Sequence, residues 1–199
     1  MRKSIILLLI ILNIGCKQTT VSNVELKEEV LKNDSKINLT ESNDLSKDKF
    51  LKSQVDDYMK AILGRNLDLV YDYCYPDIIL WAEDKYPDMV KNKEDFKKVF
   101  LEPMKKLSEL EKDKETSVEY EIGEITKRLH SDDGIAMIYL IVSSITIKHK
   151  LEERKNGDEY VAISFDGGEN WKFMIKDIEM TKEILSYKFS EKSINKLLN

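Results

Sequence analysis

The chain has 199 residues, enough for one domain with accessory segments, and 42% of them are apolar, so a sizeable core can be buried. Its formal net charge is −5, and loss of residues 1–15, which carry Arg2 and Lys3 but no acid, would leave 30 basic and 37 acidic residues, a charge of −7. Because a domain of that sign repels phosphate backbones, the composition argues against nucleic acid as a partner.

The amino terminus has the pattern of an export signal. Arg2 and Lys3 precede an unbroken apolar run over residues 5–12, which is far shorter than the roughly 20 residues that span a bilayer. Gly15-Cys16 follows directly and resembles the lipobox of bacterial lipoproteins. The resemblance implies cleavage after residue 15, a diacylglycerol on Cys16 and a membrane anchor through that lipid. The alternative is an ordinary secretory signal with a chance cysteine.

The chain is therefore expected to divide into a signal peptide (1–15), a lipid-anchored tether (16–48) and an α+β domain (49–199). The tether is rich in Lys, Glu, Asn, Ser and Thr and lacks the apolar mass that would offset the entropy of ordering. With Lys17 after the cysteine, the expected location is the bacterial cell envelope, at the outer membrane. If Cys16 carries lipid, Cys74 has no disulfide partner and is predicted to be a small buried hydrophobe.

Three helices are predicted first. One-sided apolar spacing favours a helix over residues 50–63, ended by Gly64. Asn66 is predicted to cap a second helix, which ends before Pro76. Asn92 is predicted to cap a third helix, which continues as far as residue 110. Residues 77–90 fit no single pattern.

After these helices the spacing of apolar residues changes from the helical period to a period of two residues, which is typical of β-strands. Residues 117–122 alternate, Gly123 predicts a bulge, and residues 135–142 are continuously apolar, which favours a central strand. Asn156-Gly157 predicts a hairpin turn, and the segment 171–175 closes a four-stranded antiparallel meander. A short helix over residues 191–198, capped by Ser190, is predicted at the carboxyl terminus. The fold class is thus α+β, with the amino-terminal helices on one face of the sheet.

This order of elements resembles the nuclear transport factor two-like, or SnoaL-like, superfamily over residues 50–177. The resemblance is carried by Gly64-Arg65-Asn66-Leu67-Asp68 between two helices and by the closing strand around Trp171-Lys172-Phe173. It implies a sheet curled into a cone, often with an apolar pocket, and some members use Asp or His bases with Tyr donors. On that basis a pocket is expected near Tyr58, Tyr71 and His149, with His149 as a weak candidate base.

The most specific local motif is Ser164-x-Asp166-x-Gly168-x-x-Trp171. It resembles the Asp-box of sialidase propellers, which is a structural hairpin remote from catalysis. Only one copy is present, so a structural hairpin is predicted here as well. His130 is expected to be an exposed hairpin residue. The following aromatic side chains line either a pocket or the core: Tyr71, Tyr73, Tyr75 and Trp81.

The sequence contains no Gly-rich phosphate loop, metal-ligand spacing or nucleophile motif, so no cofactor and no metal are expected. The leading hypothesis is a non-enzymatic module of the cell envelope that binds a small apolar ligand or a protein. A second hypothesis is a small-molecule enzyme or carrier that uses the cone pocket. A third is an envelope immunity or inhibitor protein that acts through its acidic surface.

Overall fold

A computed structural model describes residues 36–64, 66–101, 115–150 and 152–199; for residues 100 and 101 only the backbone is described. The expected signal peptide, the lipobox-like Gly15-Cys16, most of the expected tether and the predicted helical continuation to residue 110 lie outside these ranges. Among the described residues, no helix is both long and apolar enough to cross a bilayer.

Within the described ranges, four helices come before the long strands. They are α1 (Asp48–Leu63), α2 (Leu67–Tyr73), α3 (Asp77–Lys85) and α4 (Lys93–Phe96), and α4 runs into a π-helical turn over Lys97–Leu101. The two predicted caps are confirmed, because the side-chain oxygen of Asn66 accepts from the Leu69 amide and that of Asn92 from the Glu94 amide. The additional helix, α3, occupies the stretch that fitted no single sequence pattern.

The sheet has five strands in the order β1-β2-β3-β4-β5, all antiparallel. They are β1 (Thr40–Glu41), β2 (Thr116–His130), β3 (Met137–His149), β4 (Glu152–Ser164) and β5 (Lys172–Ile175). The prediction of four strands is therefore wrong by one. A two-residue edge strand is too short to produce any alternation of apolar and polar residues, so β1 left no signal in the sequence.

Two features of the meander are confirmed. The register of β2 against β3 shifts between Ile122 and Ile125, which is the bulge predicted at Gly123. Strand β3 is central, and its residues 137–141 are all buried. Since successive side chains point to opposite faces, both faces of the sheet are covered there.

The predicted turn at Asn156-Gly157 is wrong. Both residues lie inside β4, where they pair with Ile145 and Ser144, and the turn falls between His149 and Glu152, with Lys150 at φ 53°. A turn at 156–157 would place the apolar residues 160–163 opposite the charged stretch 150–153. The observed register instead pairs Val161 with Leu140, so burial of the apolar half of the hairpin outweighs a local turn preference.

Helices lie on both faces of the sheet, so the prediction of helices on one face is also wrong. Helix α1 faces one side, where the Tyr120 hydroxyl donates to Asp56 at 2.5 Å. Of the two carboxyl-terminal helices, α6 (Glu191–Leu198) lies on the other side, where Lys127 of β2 donates to its Lys196 carbonyl at 2.7 Å. Helix α5 (Ile178–Ser186) packs against α3 and α6. The bounds of α6 match the prediction, whereas α5 was not predicted.

Residues 36–41, which we call the strap, are bound to the carboxyl-terminal helices. The Ile37 amide donates to the Lys188 carbonyl and its carbonyl accepts from the Ser190 amide, both at 2.9 Å. Leu39 is buried, and its amide donates to Ser193 Oγ at 2.7 Å. The strap and the residues that lead into α1 thus belong to the same compact unit as the sheet and its helices, a unit that begins at about residue 35.

Candidate functional site

The structure does not bring Tyr58 and His149 together. Tyr58 is buried in α1, and its ring lies 6.1 Å from that of Tyr160 in β4. Tyr160 pairs with Ile141, which lies eight residues, or roughly 26 Å, before His149 along β3. His149 is half-buried at the end of that strand, with Nδ1 2.7 Å from Thr116 Oγ1. The pocket expected between Tyr58 and His149 therefore has no counterpart in this geometry.

Most of the remaining aromatic residues pack in the core. Tyr75 and Trp81 are buried, and Tyr73 packs against Phe173. Tyr71 is half-buried at the edge of the core, and the Lys93 ammonium lies 4.1 Å from its ring centroid. Cys74 is buried among these rings, and burial raises the pKa of its thiol to about 12. At neutral pH this thiol is protonated and unreactive.

A different group of polar side chains gathers on the side of the sheet that faces α1. We call Ser143, Asp158 and Tyr160 the Asp158 cluster. Ser143 and Asp158 are paired across β3 and β4, and Tyr160 follows two residues later on the same face. Ser143 is 2% exposed and Tyr160 5% exposed. The Ser143 hydroxyl lies 3.9 Å from the sulfur of Met59 in α1.

Asp158 is the unusual member of this cluster. Its side chain is half-buried, and within the described part of the chain no hydrogen bond or salt bridge to its carboxyl group is present. Loss of hydration raises its pKa. The pKa of the neighbouring Tyr160 hydroxyl is also raised, first by burial and then by the Asp158 charge. A carboxyl group without a partner beside two hydroxyls can accept a hydrogen bond from a ligand or exchange a proton with it.

The sequence analysis missed Asp158 because Asn156-Gly157-Asp158 has the composition of a turn. The signal that could have found it is its spacing from Tyr160 and Ala162, which places an acid on the buried face of a strand. Asp is disfavoured in strands, so its presence on such a face is informative. Only the register of β4 shows that Asp158 lies on the same face as Tyr160.

The motif from Ser164 to Trp171 forms a closed network at the other end of β4. Asp166 Oδ1 accepts from Ser164 Oγ at 2.7 Å and from the Asn170 amide at 2.9 Å. Burial alone would raise the pKa of Asp166, but these hydrogen bonds outweigh it and lower the pKa to about 2. Trp171 Nε1 donates to the Gly168 carbonyl at 2.9 Å, and Gly168 has φ 85°. Every one of these contacts fixes the loop itself, as expected of a structural hairpin.

His130 is not the exposed hairpin residue that we expected. It is half-buried, and its Nε2 lies 2.8 Å from the Tyr139 hydroxyl, with the two rings stacked. Burial lowers the pKa of His130, so the imidazole is neutral at pH 7. The nearby Arg128 guanidinium is bound by both carboxylate oxygens of Asp48. These contacts join β2 and β3 to the start of α1, and we assign them a structural role.

A shallow groove of about 750 Å³ lies elsewhere, beside α6. Charged and amide side chains line it: Glu41, Lys127, Glu191, Lys192, Asn195, Lys196 and Asn199. Two of its lysine ammonium groups are already bound to backbone carbonyls. Within the described ranges, no three side chains of His, Cys, Asp or Glu lie close enough together to hold a metal ion.

The Asp158 cluster is the candidate site because a half-buried carboxyl group with a raised pKa lies on the same strand face as two buried hydroxyl groups. No protein-family model, curated protein or solved structure matches this chain.

Proposed function

We propose that this chain is a lipid-anchored protein of the bacterial cell envelope, held at the outer membrane through Cys16, and that its α+β domain is a non-enzymatic binding or interaction module. The observation that carries the proposal is the order of Arg2, Lys3, an apolar run and Gly15-Cys16. Two or more acyl chains on Cys16 would give stable anchoring, because each buried methylene contributes about 0.8 kcal/mol.

The fold is compatible with a domain of the nuclear transport factor two-like type, curled into a cone. Helices that precede an antiparallel meander, with α1 on one of its faces, support this proposal. The bulge between Ile122 and Ile125 supports it as well, because a bulge bends the strand that carries it. Helices α5 and α6 add a second layer at the carboxyl end.

Cys16→Ala is expected to abolish incorporation of labelled palmitate and to leave the protein as an unprocessed precursor or in the soluble fraction. The reason is that the thiol is the only atom at this position able to form the thioether to diacylglycerol. The measurement is metabolic labelling of producing cells, followed by separation of membrane and soluble fractions. Cys74→Ala is the matched control, since its buried thiol is no acceptor. Undiminished labelling of Cys16→Ala would refute the anchor.

The Asp158 cluster favours a second candidate function, a small-molecule carrier or enzyme. Natural proteins keep a half-buried charge without a partner at a cost in stability, and such costs concentrate at functional sites. A ligand with a hydroxyl or ammonium group would supply the missing hydrogen bond to Asp158. Because Ser143, Tyr160 and Ile141 are buried, such a ligand would reach the cluster from the accessible side of Asp158.

Asp158→Asn is expected to raise the free energy of unfolding at neutral pH and to weaken binding of that ligand. The folded state raises the pKa of Asp158. The native protein therefore loses stability as the pH rises from the unfolded pKa of about 3.9 through the folded value. The uncharged amide removes this pH-dependent loss. The measurements are thermal unfolding across that pH range and native mass spectrometry after exposure to an envelope extract.

Glu159→Gln is the matched control for Asp158→Asn. Glu159 is the next residue along β4, points to the opposite face and is already paired with Lys176 at 2.6 Å. Glu159→Gln should be no more stable than the native protein at neutral pH, and any ligand adduct should persist. If Asp158→Asn is no more stable than the native chain and retains the adduct, the carrier or enzyme hypothesis is wrong.

A further inference from the structure

Two exposed aromatic residues and two lysines lie around the point where the strap begins. Tyr187 is 44% exposed and Phe165 40% exposed, and the Lys188 ammonium lies 5.4 Å from the Phe165 ring centroid. The ammonium of Lys36 donates to the carbonyl of Tyr187. We call these four residues, Lys36, Phe165, Tyr187 and Lys188, the aromatic–lysine patch.

Buried residues beneath the patch hold its side chains in place. Phe165 stacks on Phe189 with the ring centroids 5.7 Å apart, and the backbone of Phe189 forms a parallel bridge with Ile37 of the strap. The Lys188 ammonium is also bound to the buried carboxylate of Asp77 at 2.9 Å. The exposed rings are therefore fixed on the same backbone that receives the chain from Cys16.

The composition of the patch suits a membrane interface. Aromatic rings with an apolar body partition into the headgroup region. The ammonium groups of Lys36 and Lys188 already have protein partners, but the Lys188 side chain is 43% exposed beside its pair with Asp77 and can accept a lipid phosphate as a further partner. The chain between Cys16 and Lys36 spans at most about 70 Å when fully extended. If Cys16 carries lipid, the patch is therefore the part of the described surface that is connected most directly to the bilayer.

We propose that the aromatic–lysine patch docks on the headgroup region of the bilayer that holds the Cys16 lipid, a proposal that rests on the proposed lipidation. Docking fixes which side of the domain faces the membrane. The opposite end of the sheet, which carries the turn at Lys150, then points away from the bilayer. Position 155, near that turn, lies nine residues, or roughly 30 Å, along β4 from Ser164, which is next to the patch. Asp158 lies between these two ends, six residues, or roughly 20 Å, along β4 from Ser164.

The test uses the full-length, lipid-modified chain in vesicles of equal parts phosphatidylethanolamine and phosphatidylglycerol that contain nitroxide-labelled lipid. A fluorescent label is attached at Asp84→Cys. Asp84 is exposed and close to Tyr187, whose pKa is raised by burial and then by the Asp84 charge. A second preparation carries the label at Lys155→Cys, at the far end of the sheet. Cys74 is buried and protonated, so it stays unlabelled.

The label at position 84 is expected to lose most of its emission to the nitroxide lipid, while the label at position 155 keeps its emission. Adding Phe165→Ser and Tyr187→Ser should restore the emission at position 84 although the vesicles still carry the protein to the top of a density gradient. Co-flotation with equal emission at both positions overturns the docking proposal and leaves the lipid anchor intact. Failure to float overturns the anchor and the docking together. Quenching that appears only after envelope proteins are added assigns the patch to a protein partner and overturns the lipid proposal.

Discussion

Trp171→Ala is expected to lower the free energy of unfolding by about 4 kcal/mol, the cost of deleting a large buried aromatic side chain and leaving a cavity. Trp171 is 1% exposed, and its ring lies 4.8 Å from that of Tyr139 in the central strand. Its backbone amide also donates to the Gln54 side chain of α1 at 2.9 Å. Trp171 thus connects the hairpin, the sheet and the first helix. Chemical denaturation followed by circular dichroism would measure the loss in free energy of unfolding.

Trp171→Phe separates packing from hydrogen bonding at this position. It keeps most of the buried area but removes the Nε1–H group that donates to the Gly168 carbonyl. We expect a loss of about 1 kcal/mol, the usual contribution of one such hydrogen bond. A Trp171→Ala variant that is no less stable than Trp171→Phe would contradict the role given to the buried ring.

Lys188→Met is expected to lower the free energy of unfolding by about 3 kcal/mol, because it strands the carboxylate of Asp77 without its counter-charge. The Asp77 side chain is only 4% exposed, and the Lys188 ammonium lies 2.9 Å from it. The remaining hydrogen bond comes from the Tyr75 hydroxyl at 2.7 Å. Since Met keeps the apolar stem over the Tyr75 and Phe165 rings, the loss would report on charge rather than on packing.

Two further variants test this explanation. Lys85→Met removes a lysine from a pair with Glu183 in which both side chains are about half exposed, and an exposed pair of that kind contributes about 0.5 kcal/mol. The double variant Asp77→Asn with Lys188→Met removes both charges and should recover part of the stability lost by Lys188→Met alone. If the double variant loses as much free energy of unfolding as the two single variants together, Asp77 and Lys188 are not coupled.

Much of the local structure could be predicted because it depends on short-range chemistry. Asn66, Asn92 and Ser190 each cap the helix that their spacing indicated. A side-chain oxygen next to free helix amides acts within one turn, whatever the rest of the chain does. The bulge at Gly123 and the central position of residues 137–141 were predicted for a similar reason, since period and burial are visible along a single strand.

The candidate site could not be predicted in the same way, because it depends on which strands pair and in what register. His149 was selected for its residue type, but its position along β3 keeps it away from Tyr58. Asp158 directly follows the turn predicted at Asn156-Gly157, and only the pairing with Ser143 places it on the face of Tyr160. His130, likewise, is half-buried because Tyr139 of the next strand lies against it.

The sequence by itself determined the α+β class, most helix boundaries, the meander order and the hairpin motif around Asp166 and Trp171, because local hydrogen bonds and apolar periodicity specify them. The tertiary structure decided the turn at Lys150, the edge strand β1, the strap under Phe189 and the second helical layer. The edge strand, the strap and the contact of α6 with β2 each bring together segments that are far apart in the chain. Burial of the apolar halves of β3 and β4 against each other outweighed the turn preference of Asn156-Gly157, and that register also created the Asp158 cluster.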